Sequence, residues 1–119
     1  MVFLNEIIAM DHKDNVWEEL LLKVSKRFNV LADFDFLLFL IGIQERGTGY
    51  IKYSKEEKMD LINLARCVLF EHKGFYKREG LDEGGWPSFT VVNVIDDIPP
   101  SERESILKEA MIEYLGEKL

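Results

Sequence analysis

The sequence predicts a mainly α fold of about five helices around a buried central helix, with one small β-hairpin packed on the side. The alternative class is α+β. Three observations carry this reading. Helix starts are marked by Ser and Glu three residues apart, at Ser54 with Glu57 and at Ser101 with Glu104. Residues 34–43, FDFLLFLIGI, form the most apolar run of the chain. Residues 75–92, FYKREGLDEGGWPSFTVV, cannot be read as helix, because Gly80, Gly84 and Gly85 interrupt any helical stripe ahead of Trp86-Pro87.

A first short helix is expected over residues 2–10. The second is expected behind Asn15, which forms a capping pair with Glu18 ahead of Trp17, Leu20, Leu21, Val24 and Phe28 at helical spacing. Asp33 is placed to cap the third, which Gly47 ends. Its residues 36–43 are apolar on every side, and a helix of that kind is buried all round, so it takes the centre. Gly42 costs this helix up to about 1 kcal/mol relative to Ala, which close approach of a neighbour would offset.

Ser54 and Glu57 make a reciprocal capping box, and the fourth helix carries Leu61, Ile62, Ala65, Val68 and Leu69 on one stripe before Gly74. The fifth starts at Ser101 behind Pro99-Pro100 and aligns Ile106, Leu107, Ala110, Met111, Tyr114 and Leu115. Between these two lies the hairpin, expected as strands 75–79 and 88–94 around an 80–85 loop. Pro87 holds Trp86 extended. A lone hairpin is marginal in water, so it must rest on the helices. Residues 50–53 are read as a third short strand.

Residues 1–119 are expected to form a single globular domain, since that length suits one core. Eight Phe, four Tyr and two Trp supply the core, which excludes a disordered chain. Residues 34–43 contain Asp35 and fall short of the roughly 20 residues that span a bilayer. The N-terminal stretch lacks the basic start of a signal peptide. Cys67 is the single cysteine, which excludes an intramolecular disulfide and suits a reducing compartment. A cytoplasmic protein is expected.

The net charge of −7 arises wholly from residues 79–119, where ten acids face three basic residues. Residues 1–78 balance at twelve of each. No basic run exists to meet phosphates, so neither nucleic acid nor an anionic membrane is an expected partner.

Catalytic signals are weak. Asp11, His12 and Asp14 are the densest set of metal-ligand types, yet between two helices the same acids act as caps and first-turn charges. His72 suits the C-terminal turn of the fourth helix, and Cys67 suits a buried inert thiol. The loop Gly80–Gly85 lacks any phosphate-binding pattern, and Asp82 and Glu83 would repel phosphate. Trp86 is the most informative residue: pinned by Pro87, with Tyr76, Arg78 and Phe89 as hairpin neighbours, it joins the residue types that anchor protein interfaces.

The segments DHKDNVWEELLLKV and GLDEGGWP together resemble a set of short uncharacterised bacterial proteins of about this whole length. The resemblance implies a bacterial cytosolic origin and carries no chemistry. The expected function is therefore a non-enzymatic protein–protein interaction module, self-associating, with Tyr76, Arg78, Asp82, Glu83, Trp86 and Phe89 as partner-binding residues and no cofactor. The alternative is a small-ligand or divalent-metal-binding protein, an enzyme among the possibilities, using Asp11, His12 and Asp14 or the Asp82–Glu83 loop.

Overall fold

The computed structural model describes residues 12–93, 97–116 and 118. These form helices α1 (His12–Phe28), α2 (Phe34–Arg46) and α3 (Lys55–His72), strands β1 (Tyr76–Leu81) and β2 (Pro87–Val91), and helix α4 (Pro100–Gly116). The protein is thus mostly helical with a small antiparallel hairpin, which fits both the mainly α expectation and its α+β alternative. The described residues hold four helices. The helix expected over residues 2–10 lies outside them. No helix among the described residues is long and apolar enough to cross a membrane.

Two helix starts differ from expectation. α1 is already helical at His12, the first described residue, so Asn15 lies within the helix and does not cap it. The segment 11–28 contains no Gly or Pro, and nothing in it stops the helix from starting before Asn15. α4 begins at Pro100, with Arg103 N–H donating to the Pro99 carbonyl at 3.0 Å. Proline suits the first helical position, where its fixed φ is already helical and no N–H is needed. Ser101 is therefore within the first turn.

The other ends follow local chemistry. Asp33 accepts from Phe36 N–H at 2.9 Å, and Gly47, at φ 75°, closes α2 by donating to the Ile43 carbonyl at 2.8 Å. Ser54 Oγ accepts from Glu57 N–H at 3.1 Å while the Glu57 carboxylate accepts from Ser54 N–H at 2.9 Å. That backbone donor, followed by the hydroxyl, holds the Glu57 carboxyl below its usual range. α1 ends at Asn29, whose φ of 54° lets Val30 N–H reach the Ser25 carbonyl.

α2 is the central helix. Leu37, Leu38 and Ile41 are fully buried, joined in one core by Val24 of α1, Ala65 and Leu69 of α3, and Ala110 and Met111 of α4. Burial is not complete all round: Phe36 and Leu40 remain half-exposed along one stripe. α2 and α3 are antiparallel neighbours. Phe34 lies beside Arg66 and Phe70 at one end, Gly42 meets Leu61, and Arg46 lies beside Glu57 at the other.

At Gly42 the two helices touch backbone to backbone. A Cβ on Gly42 would collide with the Leu61 carbonyl oxygen and come within 2.7 Å of its carbonyl carbon. Backbone cannot swing aside as a side chain can, so glycine is required for this approach.

Residues 50–53 form no strand; the sheet has the order β1-β2 alone. The Tyr50 ring packs on Phe28, Phe36 and Phe39, and the Tyr53 hydroxyl turns back to donate to the Gly49 carbonyl at 2.6 Å. Ring packing on α1 and α2 takes the place of a ladder. Both hairpin strands are displaced from the expected bounds: β1 runs on to Leu81 and β2 is confined to Pro87–Val91.

Substituting Gly42→Ala raises helix propensity by about 1 kcal/mol, yet overpacking of this kind typically costs about 1–3 kcal/mol. The expected outcome is net destabilisation, read as a lower urea midpoint with an unchanged slope. An equal or higher midpoint would show that the helices do not meet at Gly42.

Candidate functional site

The hairpin is fastened to the helices through its tip and its inner face. Asp82 organises the tip: its carboxylate accepts from Gly84 N–H and Trp86 N–H, each at 2.9 Å, while its own N–H donates to the Trp86 carbonyl at 2.7 Å. Gly85, at φ 81°, completes this turn. Arg46, at the end of α2, donates to the Gly85 carbonyl at 2.6 Å and to the Gly84 carbonyl at 3.1 Å. Its guanidinium carbon lies 4.5 Å from the Trp86 ring centroid, a cation–π geometry.

Trp86 is half-buried and packs on the cluster of Phe39, Ile43 and Leu61, so its indole faces the helices. Tyr76 stacks at 5.6 Å from Phe70 and 6.4 Å from Phe89. A bulge at Glu79 lies between the Arg78–Phe89 and Gly80–Ser88 pairs. The outward positions Lys77, Glu79 and Thr90 are polar, and Thr90 Oγ1 donates to Glu79 at 3.0 Å.

Arg78 is the hub of the inner face. It grips Glu71 of α3 through Nη2 at 2.9 Å and Nε at 3.2 Å, and lies 3.6 Å from Glu45 of α2. Its guanidinium sits 5.3 Å from the Phe89 ring. Glu45 in turn accepts from the Tyr114 hydroxyl of α4 at 2.6 Å. One chain of contacts thus ties α4, α2, the hairpin and α3 together. Burial first, and the Glu45 carboxylate second, push the Tyr114 hydroxyl well above the usual tyrosine range.

The six expected partner-binding residues are therefore brought together on one hairpin, each with definite contacts except Glu83, which is exposed at the tip. His72 closes α3 and lies 2.9 Å from Glu113, a carboxylate that Lys73 also contacts at 3.1 Å. Lys73 and then His72 hold the Glu113 carboxyl below its usual range. Cys67 is half-buried and burial pushes its thiol up, which disfavours the reactive thiolate. Asp11, with the side chains of His12 and Asp14, lies outside the described residues. Among the described residues no three His, Cys, Asp or Glu side chains are grouped to hold a metal ion.

A second surface was not singled out by sequence reasoning. Residues 50–53 run alongside Phe36 and Phe39 of α2 and border a groove of about 610 Å³. Phe36, Phe39 and Ile62 line it from the helices, and Tyr50, Ile51 and Tyr53 from the connecting segment. Asp33, Asp35, Lys52 and Lys58 supply its charges. Tyr50 is 52% and Ile51 61% exposed. Tyr53 and Trp86 pack on the same cluster, which makes the groove continuous with the hairpin tip. The available signal was the apolar alternation of Tyr50, Ile51 and Tyr53 behind Gly47 and Gly49. That alternation reads as strand until the absence of a pairing strand is known.

No protein-family model, no curated protein and no solved structure matches this chain.

Because the folded-state pKa of Tyr114 lies above its unfolded value, its contribution is complete below about pH 10 and is lost as pH rises beyond that. Tyr114→Phe should cost about 1 kcal/mol at neutral pH, the scale of one hydrogen bond in a partly solvated setting. It should also flatten the fall in stability above pH 10. Urea melts at pH 7 and 10.5 measure both; parallel pH dependences in the two proteins would refute the assignment.

Proposed function

We propose that the protein is a non-enzymatic protein–protein interaction module whose contact surface is the aromatic groove, extended across Tyr53 to the hairpin tip at Trp86. The supporting observation is the exposure of Tyr50 and Ile51 at the mouth of an apolar groove. Contiguous apolar surface of this kind is characteristic of interaction sites, and aromatic side chains dominate interface energetics. Tyr76, Arg78, Asp82, Trp86 and Phe89 hold the hairpin in place beside that surface, and Glu83 stands free of it at the tip. The net charge of −7 favours a protein partner over nucleic acid or an anionic membrane. The single cysteine favours a cytoplasmic setting.

Small-ligand binding is a second reading, favoured by a groove of about 360 Å³ between α3 and the hairpin, lined by Asp60, Cys67, Asp82, Trp86 and Phe89. Its metal version uses Asp11, His12 and Asp14. It predicts a melting temperature that rises with one divalent cation and falls with EDTA, with the rise abolished by His12→Ala. No response across a cation panel removes that version.

The module reading is tested with a photo-crosslinking amino acid at Ile51 and, as a control, at Lys77 on the polar outer face of the hairpin. Irradiation in the native cell should give a discrete crosslinked species from position 51 and none from position 77. Equal yields from both, or none from position 51, would overturn the reading.

A further inference from the structure

We propose that the occupant of the aromatic groove is a second copy of this chain, bound across a two-fold axis with the acidic end of each groove against the basic end of the other. This inference rests on the interaction-module reading and adds the identity of the partner and its orientation.

The argument starts from the polarity of the groove. Asp33 caps α2 and Asp35 lies in its first turn, so both carboxylates mark the N-terminal end of that helix. Lys58 lies one turn before Leu61 on α3, and Leu61 meets Gly42. Gly42 follows Asp35 by seven residues, about 10 Å along α2 at 1.5 Å per residue. Because α3 runs antiparallel, Lys58 is displaced further still from Asp35. Asp35 and Lys58 therefore stand toward opposite ends of one groove, with the aromatic residues along the length between them, and Lys52 adds a second positive charge on the connecting segment.

A surface with this arrangement is complementary to its own two-fold image. In an isologous interface residue i meets j and j meets i, so one rotation produces both acid–base contacts at once. The same rotation sets apolar middle against apolar middle. A surface with one sign of charge throughout would repel its own copy and require a partner of the opposite charge. All four charged residues are solvent-exposed, and none is engaged in an ion pair among the described residues, so they are available to meet a partner. Leu31, 95% exposed, stands two residues before Asp33 at the acidic end and adds apolar surface there.

Sedimentation velocity over a concentration series tests the proposal. The wild type should sediment as a dimer that weakens with added salt. Lys52→Glu with Lys58→Glu turns both cations of the groove into acids, and Asp33→Asn with Asp35→Lys removes its acids while keeping a capping side chain at position 33. Each double variant alone should be monomeric, with a wild-type melting profile showing that it folds. Mixing the two should restore a dimer containing one copy of each, because an acidic groove then meets a basic one. A monomeric wild type at every concentration overturns the proposal, as does a dimer that survives both variants. A monomeric wild type that nevertheless crosslinks from Ile51 to a different protein rejects the second copy and leaves the module reading standing. Absence of both self-association and crosslinking rejects the two together.

Discussion

The approach of α2 and α3 at Gly42 sets the geometry on which the other features depend. With no side chain at that position, the backbone of Leu61 lies against α2, and the two antiparallel helices are brought close along their length. Close axes bring Phe39, Ile43 and Leu61 into one cluster, and that cluster is what Tyr53 and Trp86 pack upon. A wider spacing would part the residues that line the groove from both helices and remove the seat of the indole. A glycine that is unfavourable for helix formation is thus favourable for the tertiary structure, because the packing gained exceeds the propensity lost.

The hairpin illustrates how a marginal element becomes fixed. Two strands alone bury too little surface to persist. Here three kinds of contact add to the strand pairing: the Asp82 turn, the Arg46 clamp on the tip carbonyls, and the Arg78 fork on Glu71. Surface ion pairs contribute little singly, but bidentate geometry and a shared network raise their value. Arg78, Glu45 and Tyr114 extend that network from the hairpin to α4. The hairpin side chains that sequence composition marks as interface-like are largely engaged within the molecule. The exposed aromatic surface lies next to them, in the connection before α3.

Legibility in the sequence tracked the range of the interaction. The Ser54–Glu57 box and the Asp33 cap formed as read, since their partners are three residues away. The Asn15 and Ser101 caps did not, because the first of these helices is already formed at His12 and Pro100 favours its own position one residue before Ser101. Asn29 ends α1 through a left-handed conformation, a role that asparagine shares with glycine and that its identity only suggests. Residues 50–53 carry a strand pattern with no strand to pair with, and ring packing decided their path. The alternative metal-ligand set at Asp11, His12 and Asp14, apart from the backbone of His12 and Asp14, and the helix expected over residues 2–10 fall outside the described residues.

What the sequence determined by itself was the helical class, the central place of α2, the propensity cost of glycine at position 42 and the separation of charge along the chain. Each is a property of local propensity or of composition, readable without knowing what lies nearby. Only the tertiary structure decided that Trp86 faces the helices, that Arg46 clamps the hairpin tip 38 and 39 residues away, and that Asp35 and Lys58 stand at opposite ends of one groove. Those relations join residues distant in the chain. Their energy depends on where the backbone places both partners, which no single stretch of sequence contains.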